Sequence, residues 1–199
     1  SFENIHVISL LDKNYTFLQY LNPIAEDGSR YIQSLYKLLF VTNDEAWCAT
    51  NKGLFIYNFK TNKMRSVPYK LISEELQGSI WIRDIIRLHD GSIIFSTFQG
   101  LYHLVKRSGI IDINPINFLD PGTFNGFMKL LQDDKGLIYV KSGADFIYVL
   151  KPSANENKFE LIKSIDFMPE VNHFFNQDGD TALYIASDDG LYYINKKNF

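Results

Sequence analysis

Apolar and polar positions follow one another in short bursts, and the order of the bursts repeats along the chain. Between residues 82 and 113 the pattern predicts four strands, Ile82–Leu88, Ser92–Thr97, Gly100–Val105 and Ile110–Ile113. Between them lie turn residues: His89-Asp90-Gly91, then Phe98-Gln99, then Lys106-Arg107-Ser108-Gly109. Asp stabilises such turns by hydrogen-bonding its own backbone, and Gly supplies the positive φ that a tight hairpin needs. Pro115 and Pro121-Gly122 are expected to break regular structure before the next unit opens near Phe127. No stretch of helical length carries a 3.6-residue period; Leu71–Leu76 is expected to form at most one helical turn. The pattern predicts an all-β chain.

The same grammar appears four times. Glu45–Phe55, Ser92–Tyr102, Leu137–Ile147 and Ala182–Tyr192 each contain an apolar strand ending in Thr or Ser, a short polar turn, and the opening of a second strand. The anchors Gly53, Gly100, Asp145 and Gly190 recur at about 45 residues, the period of a four-stranded β-propeller blade rather than of a helical solenoid. Thr42-Asn43-Asp44, Asp133-Asp134-Lys135-Gly136 and Asp178-Gly179-Asp180 are the first turns equivalent to His89-Asp90-Gly91. Blades are expected at 30–69, 80–118, 125–167 and, incomplete, 170–199, all in one propeller domain. Residues 1–22 read as the third and fourth strands of a partial blade, His6–Leu11 and Tyr15–Leu21 around Asp12-Lys13-Asn14.

Sheets stacked around an axis bury both faces, so their strands carry near-continuous apolar runs. Trp47, Ile94, Tyr139 and Tyr184 occupy one equivalent position, where a large side chain fills the wedge between neighbouring blades. The expectation for all four is core.

Composition narrows the function. The 199 residues are 46% hydrophobic and 15% aromatic, enough for a core without disulfides or metals, and no run approaches a membrane span. Net charge is −3 with both signs interspersed, which argues against a nucleic-acid or anionic-membrane footprint. Cys48, the single cysteine, lies in an apolar strand and reads as a buried thiol. No basic, apolar leader opens the chain, as in a processed protein. His6, His89, His103 and His173 are scattered without metal-ligand spacing, and neither a nucleophile elbow nor a phosphate-binding Gly loop is present. Asp133-Asp134 and Asp188-Asp189 fall in hairpin turns, where backbone hydrogen bonding accounts for them better than calcium ligation. No catalytic residue, metal or cofactor is expected.

The repeat resembles that of the two-component regulator propellers. Ile82, Ile85, Asp90, Gly91, Thr97, Gly100, Leu101 and Tyr102 follow that motif; so do Trp47, Thr50, Gly53, Leu54 and Phe55, and again Ser187, Gly190, Leu191 and Tyr192. The third copy departs from it at Asp145, and the motif's second Gly is replaced by Ala49, Ser96, Lys141 and Ala186. The resemblance implies a piece of a larger ring of roughly seven or eight blades; a small ring closed by the N-terminal segment is the alternative. It further implies the periplasmic sensor region of a membrane-anchored hybrid histidine kinase of Bacteroidetes type, dimeric in its full length and responsive to polysaccharide fragments. Signalling would then proceed by rearrangement of protomers. A protein-interaction or dimerisation scaffold is the second reading, and a propeller polysaccharide lyase the third.

If an oligosaccharide binds, the face gathering inter-blade loops and second turns is expected to present the contacts. Its residues are Tyr31, Gln33, Asn51, Lys52, Trp81, Arg83, Gln99, Asn125, Asn172, His173, Asp188 and Asp189. Aromatic faces stack on sugar rings while Arg and amide groups hydrogen-bond around them.

Overall fold

The short apolar runs pair edge to edge into antiparallel sheets. The structure is a computed structural model describing residues 8–11, 17–21, 24–25, 34–67, 70–71, 81–107, 110–118, 126–143, 146–153, 158–167, 169, 171–176 and 181–198. Among them the regular structure is β, apart from one 3-10 turn, Lys196–Asn198. The chain divides into two compact units, residues 1–68 with 75–82, and 69–74 with 83–199.

In the first unit, β1 (Ile8–Leu11) pairs antiparallel with β2 (Phe17–Leu21). Strands β3 (Ile24–Ala25), β4 (Leu35–Phe40), β5 (Glu45–Thr50), β6 (Gly53–Asn58) and β7 (Lys63–Ser66) form one sheet in the order β3-β7-β6-β5-β4. The second unit repeats this plan. Strands β8 (Lys70–Leu71), β9 (Ile82–Arg87), β10 (Ile93–Thr97), β11 (Leu101–Arg107) and β12 (Ile110–Pro115) give the order β8-β12-β11-β10-β9. Next come β13 (Phe127–Gln132), β14 (Ile138–Ser142), β15 (Phe146–Pro152) and β16 (Phe159–Asp166) in sequence order. The last sheet is β17 (Val171–Phe175), β18 (Ala182–Ser187) and β19 (Gly190–Asn195).

The four larger sheets are propeller blades, and β1 with β2 supplies the partial pair read from the N-terminal segment. Two details differ from expectation. Pro115 closes β12 opposite Tyr102 instead of breaking it, because β8 pairs only with Asp112 and Ile113 and the last residues of β12 need no donor on that side. Leu71 belongs to β8, paired in parallel with Ile113, and not to a helical turn; residues 72–76 lie outside the described residues. The short parallel strands β3 and β8 carried no readable period at two residues each.

The second strand of each of the first three blades is buried on both faces: β5, β10 and β14 have almost no exposed residue. In the second unit the two faces meet successive sheets. Ile94 shares a core with Ile138 and Val140 of the following sheet, and Tyr139 in turn shares one with Leu183 and Ile185. Trp47, Ile94 and Tyr139 are therefore core, as their position predicts, whereas the equivalent Tyr184 is only half-buried. Among the described residues of the second unit, no further sheet covers its side of the last sheet.

Two polar side chains buried between sheets are satisfied across them. Asp84 accepts a hydrogen bond from its neighbour Ile85 N at 2.7 Å and from Leu130 N of the next sheet at 2.8 Å. Lys196 Nζ, buried at the end of β19, donates to Asn176 Oδ1 (2.7 Å) and Asp134 Oδ1 (3.1 Å), and lies 3.9 Å from Asp133 Oδ2. Tyr139 OH donates to the same Asp133 at 3.1 Å, and burial, with that carboxylate nearby, pushes the phenol well above its usual range. Asp133 Oδ1 also accepts from Lys135 N and Leu137 N, so Asp133 builds its own turn while Asp134 takes Lys196.

Candidate ligand-binding site

The second turn of each blade is made by the hydroxyl that ends its second strand. Thr97 Oγ1 accepts from Gln99 N (3.0 Å) and Gly100 N (2.9 Å) and faces Gly100 O at 3.1 Å. Thr50 Oγ1 accepts from Lys52 N at 3.0 Å and donates to Gly53 O at 2.7 Å, with Gly53 at φ 108°. Ser142 Oγ reaches Phe146 O (3.2 Å), and Ser187 Oγ reaches Gly190 O (3.2 Å) and Asp189 Oδ1 (2.5 Å). This hydroxyl clip is the physical reason for the repeated Thr or Ser.

Each second turn is also tied to the start of its own first strand. In the first unit Ser34 N donates to Asn51 Oδ1 at 3.1 Å, and Asn51 N to Ser34 O at 3.2 Å. In the second unit the Arg83 guanidinium lies over Phe98, 4.9 Å from the ring centroid; Gly143 N donates to Gly126 O at 2.7 Å; Asn172 Nδ2 donates to Asp188 Oδ1 at 2.5 Å. Gly126 has φ +62°, and a Cβ there would stand 3.0 Å from Phe98 Cδ1 and 3.2 Å from Phe98 Cα. A glycine is therefore required for the Phe98 turn to rest on the next sheet.

The expected contact residues divide between the units. Asn51, Lys52 and Trp81 belong to the first: Asn51 is buried and engaged by Ser34, Lys52 is exposed, and Trp81 is 42% exposed. Arg83, Gln99, Asn172, His173, Asp188 and Asp189 belong to the second. There Arg83 is half-buried beside Phe98, and Gln99 is exposed in the same turn. Asn172 and Asp188 hold each other, and the Ser187 hydroxyl, followed by Tyr192, keeps the exposed Asp189 carboxyl below its usual range. His173 pairs with Ala186 and is exposed on the face turned away from the third sheet. Tyr31, Gln33 and Asn125 lie outside the described residues.

Phe98, at the same end of the sheet as Arg83 and Gln99, is a residue that the sequence reading did not include. Its ring is 40% exposed, and an aromatic in a polar turn between Thr97 and Gln99 was the available signal. At this end of the second unit the side chains offer an aromatic face, a fixed cation, amides and carboxylates. That is the chemistry of hydrogen-bonded, partly stacked recognition. Among the described residues no three His, Cys, Asp or Glu side chains converge on a common metal position.

No protein-family model matches the chain, and no curated protein matches it. Solved structures do. The extracellular domain of BT4673, assigned to a hybrid two-component system of B. thetaiotaomicron, is 17% identical with a TM-score of 0.67; the match covers 96% of this chain and 26% of that domain. The corresponding domain of BT3049 from the same organism is 15% identical with a TM-score of 0.60, over 92% of this chain and 23% of that one. The periplasmic gluconolactonase of Pseudomonas aeruginosa is 10% identical with a TM-score of 0.68, over 95% of this chain and 58% of the enzyme. The chain thus spans about a quarter of the two sensor ectodomains it matches. What it shares with all three is the fold, an all-β chain of propeller blades.

Proposed function

We propose that this chain is a non-catalytic part of the periplasmic sensor region of a hybrid two-component histidine kinase, and that it recognises a polysaccharide-derived oligosaccharide. The class is supported by the propeller fold shared with two sensor ectodomains. Because a propeller lactonase shares that fold, the site must carry the rest of the reading. One observation does so: the Arg83 guanidinium packed over the exposed Phe98 ring, beside Gly126. The exposed part of the ring offers an apolar surface for a sugar face, and the guanidinium beside it places a positive charge where hydroxyl or carboxylate oxygens of the ligand would lie.

A receptor responds only if ligand has different affinity for two of its arrangements. Blades buried on both faces are poor candidates for internal change, so the response is a shift of protomers in the full-length dimer. Calorimetric titration of the full extracellular region with neutral and uronic oligosaccharides tests the site. Phe98→Ala and Arg83→Ala are expected each to weaken binding tenfold or more without new reducing ends or unsaturated products appearing. Unchanged affinity in both variants refutes the site, and turnover refutes the non-catalytic reading.

A further inference from the structure

Charge is not balanced in the strands that carry the Phe98 end of the second unit. In this half of β9, β10, β13 and β14 the charged side chains are Arg83, Asp84, Lys129 and Lys141, three cations against one carboxylate. Both oxygens of that carboxylate are taken by backbone amides. Lys129 and Lys141 stand directly opposite each other on β13 and β14, and like charges so placed are destabilising. The first and last sheets avoid this at the equivalent pair, where Lys37 faces Ala49 and His173 faces Ala186. Lys141 is buried, its Nζ donating to Ser142 O at 3.0 Å. Lys129 is half-buried and, among the described residues, has no hydrogen bond or ion pair. The nearby turn carboxylates of the last sheet are engaged in their own blade, Asp188 by Asn172 and Asp189 by Ser187. A half-buried ammonium kept beside a second cation attracts an anion more strongly than an exposed lysine does.

Lys129 also lies close to the exposed ring. Phe98 rests on Gly126, and from Gly126 to Lys129 the backbone runs three residues, at most about 10 Å of extended chain. That span is within the length of a disaccharide, so a saccharide stacked on Phe98 can present its next unit to Lys129. We propose that the ligand recognised at this end is acidic, with a carboxylate on the unit next to the one on Phe98 paired to the Lys129 ammonium. The proposal rests on the reading of Phe98 and Arg83 as a saccharide site, and adds to it the charge of the ligand and the residue that reads that charge.

Calorimetric titration of the full extracellular region tests it, using oligosaccharides cut from acidic and neutral polysaccharides. Each acidic one is paired with its methyl ester, which keeps the sugar and removes the charge. The tightest ligand is expected to carry carboxylates and to lose about tenfold in affinity on esterification, or in Lys129→Gln. Lys129→Arg should restore most of that loss, and Lys129→Gln should leave binding of the ester unchanged. Rising salt should weaken the acidic ligand and not the ester. If the tightest ligand is neutral, or Lys129→Gln leaves an acidic one unaffected, the proposal is overturned; the Phe98 site survives that result provided Phe98→Ala still weakens binding. Binding that Phe98→Ala and Arg83→Ala both leave intact refutes the site itself, and so does the absence of binding across the panel. Tm of the unliganded Lys129→Gln region should not fall, because the change removes a like-charge pair. A fall in Tm with equal loss of acid and ester binding assigns Lys129 a structural role and also overturns the proposal.

Discussion

Asp84 is the side chain whose removal should report most sharply on how consecutive blades are joined. It is buried, and its two carboxylate oxygens are divided between two sheets: Oδ1 accepts from Ile85 N and Oδ2 from Leu130 N, 46 residues on. β13 is an edge strand of its sheet, and Leu130 N finds this acceptor in the preceding sheet. Asp84→Ala leaves both amides facing a space with no acceptor. At roughly 1–3 kcal/mol for each orphaned buried donor, the loss should be about 3–4 kcal/mol. Asp84→Asn keeps one oxygen and turns an NH₂ group toward the other amide, donor against donor, so about 2 kcal/mol is expected from the single lost charge-assisted bond. With a urea m-value of about 2 kcal/mol/M, the midpoints should fall by about 1.5–2 M and about 1 M respectively, with m unchanged. If both variants stay within about 0.5 kcal/mol of the parent, the cross-sheet bond is energetically idle and this account of blade coupling fails.

Three further outcomes follow from the geometry. Gly126→Ala forces a Cβ to within 3.0 Å of Phe98 at φ +62°; it should cost about 1–2 kcal/mol in urea unfolding and abolish oligosaccharide binding by displacing the Phe98 turn. Thr97→Val removes the acceptor for Gln99 N and Gly100 N and should cost about 1–2 kcal/mol, most of which Thr97→Ser recovers, as thermal or urea melts will show. Burial, partly opposed by a hydrogen bond with the Tyr57 backbone, pushes the Cys48 thiol up to about 12. At pH 8 the thiolate is then only roughly 10⁻⁴ of the population, so a thiol reagent such as dithionitrobenzoate should react in urea-unfolded protein and fail to react in the native chain on the same timescale.

The fold was largely legible because its devices are local. A hydroxyl that clips its own hairpin, an Asp that builds its own turn and a glycine at positive φ all act within a few residues, so they repeat with the blade and appear in the sequence as a period. What joins one sheet to the next left no such trace. The Asp84–Leu130 bond spans 46 residues, and Lys196 is buried against Asn176 and Asp134. The Asp84 position is Lys129 in the next blade, and the Lys196 position is Phe59 in the first blade and Lys106 in the second, so place within the blade does not mark either role. The burial of Tyr184 was misjudged for a related reason: its position specifies which way it points, whereas its burial depends on a neighbouring sheet that the local pattern does not contain. Of the candidate site, polar turn residues were recognisable by spacing. That Asn51 and Asp188 are engaged within their own blades, and that Phe98 supplies the exposed ring, depended on pairings the spacing does not encode.

The proposal that the loop end of the second unit recognises saccharide is tested most directly by site-resolved hydrogen exchange on the full extracellular region, with and without the oligosaccharide that binds it. The account predicts that slowed exchange will be concentrated at residues 97–100, 126–128 and 187–190, with the opposite-end turns at 89–92 and 133–137 unchanged. Protection centred on those opposite turns, or no change at either end under saturating ligand, would contradict it.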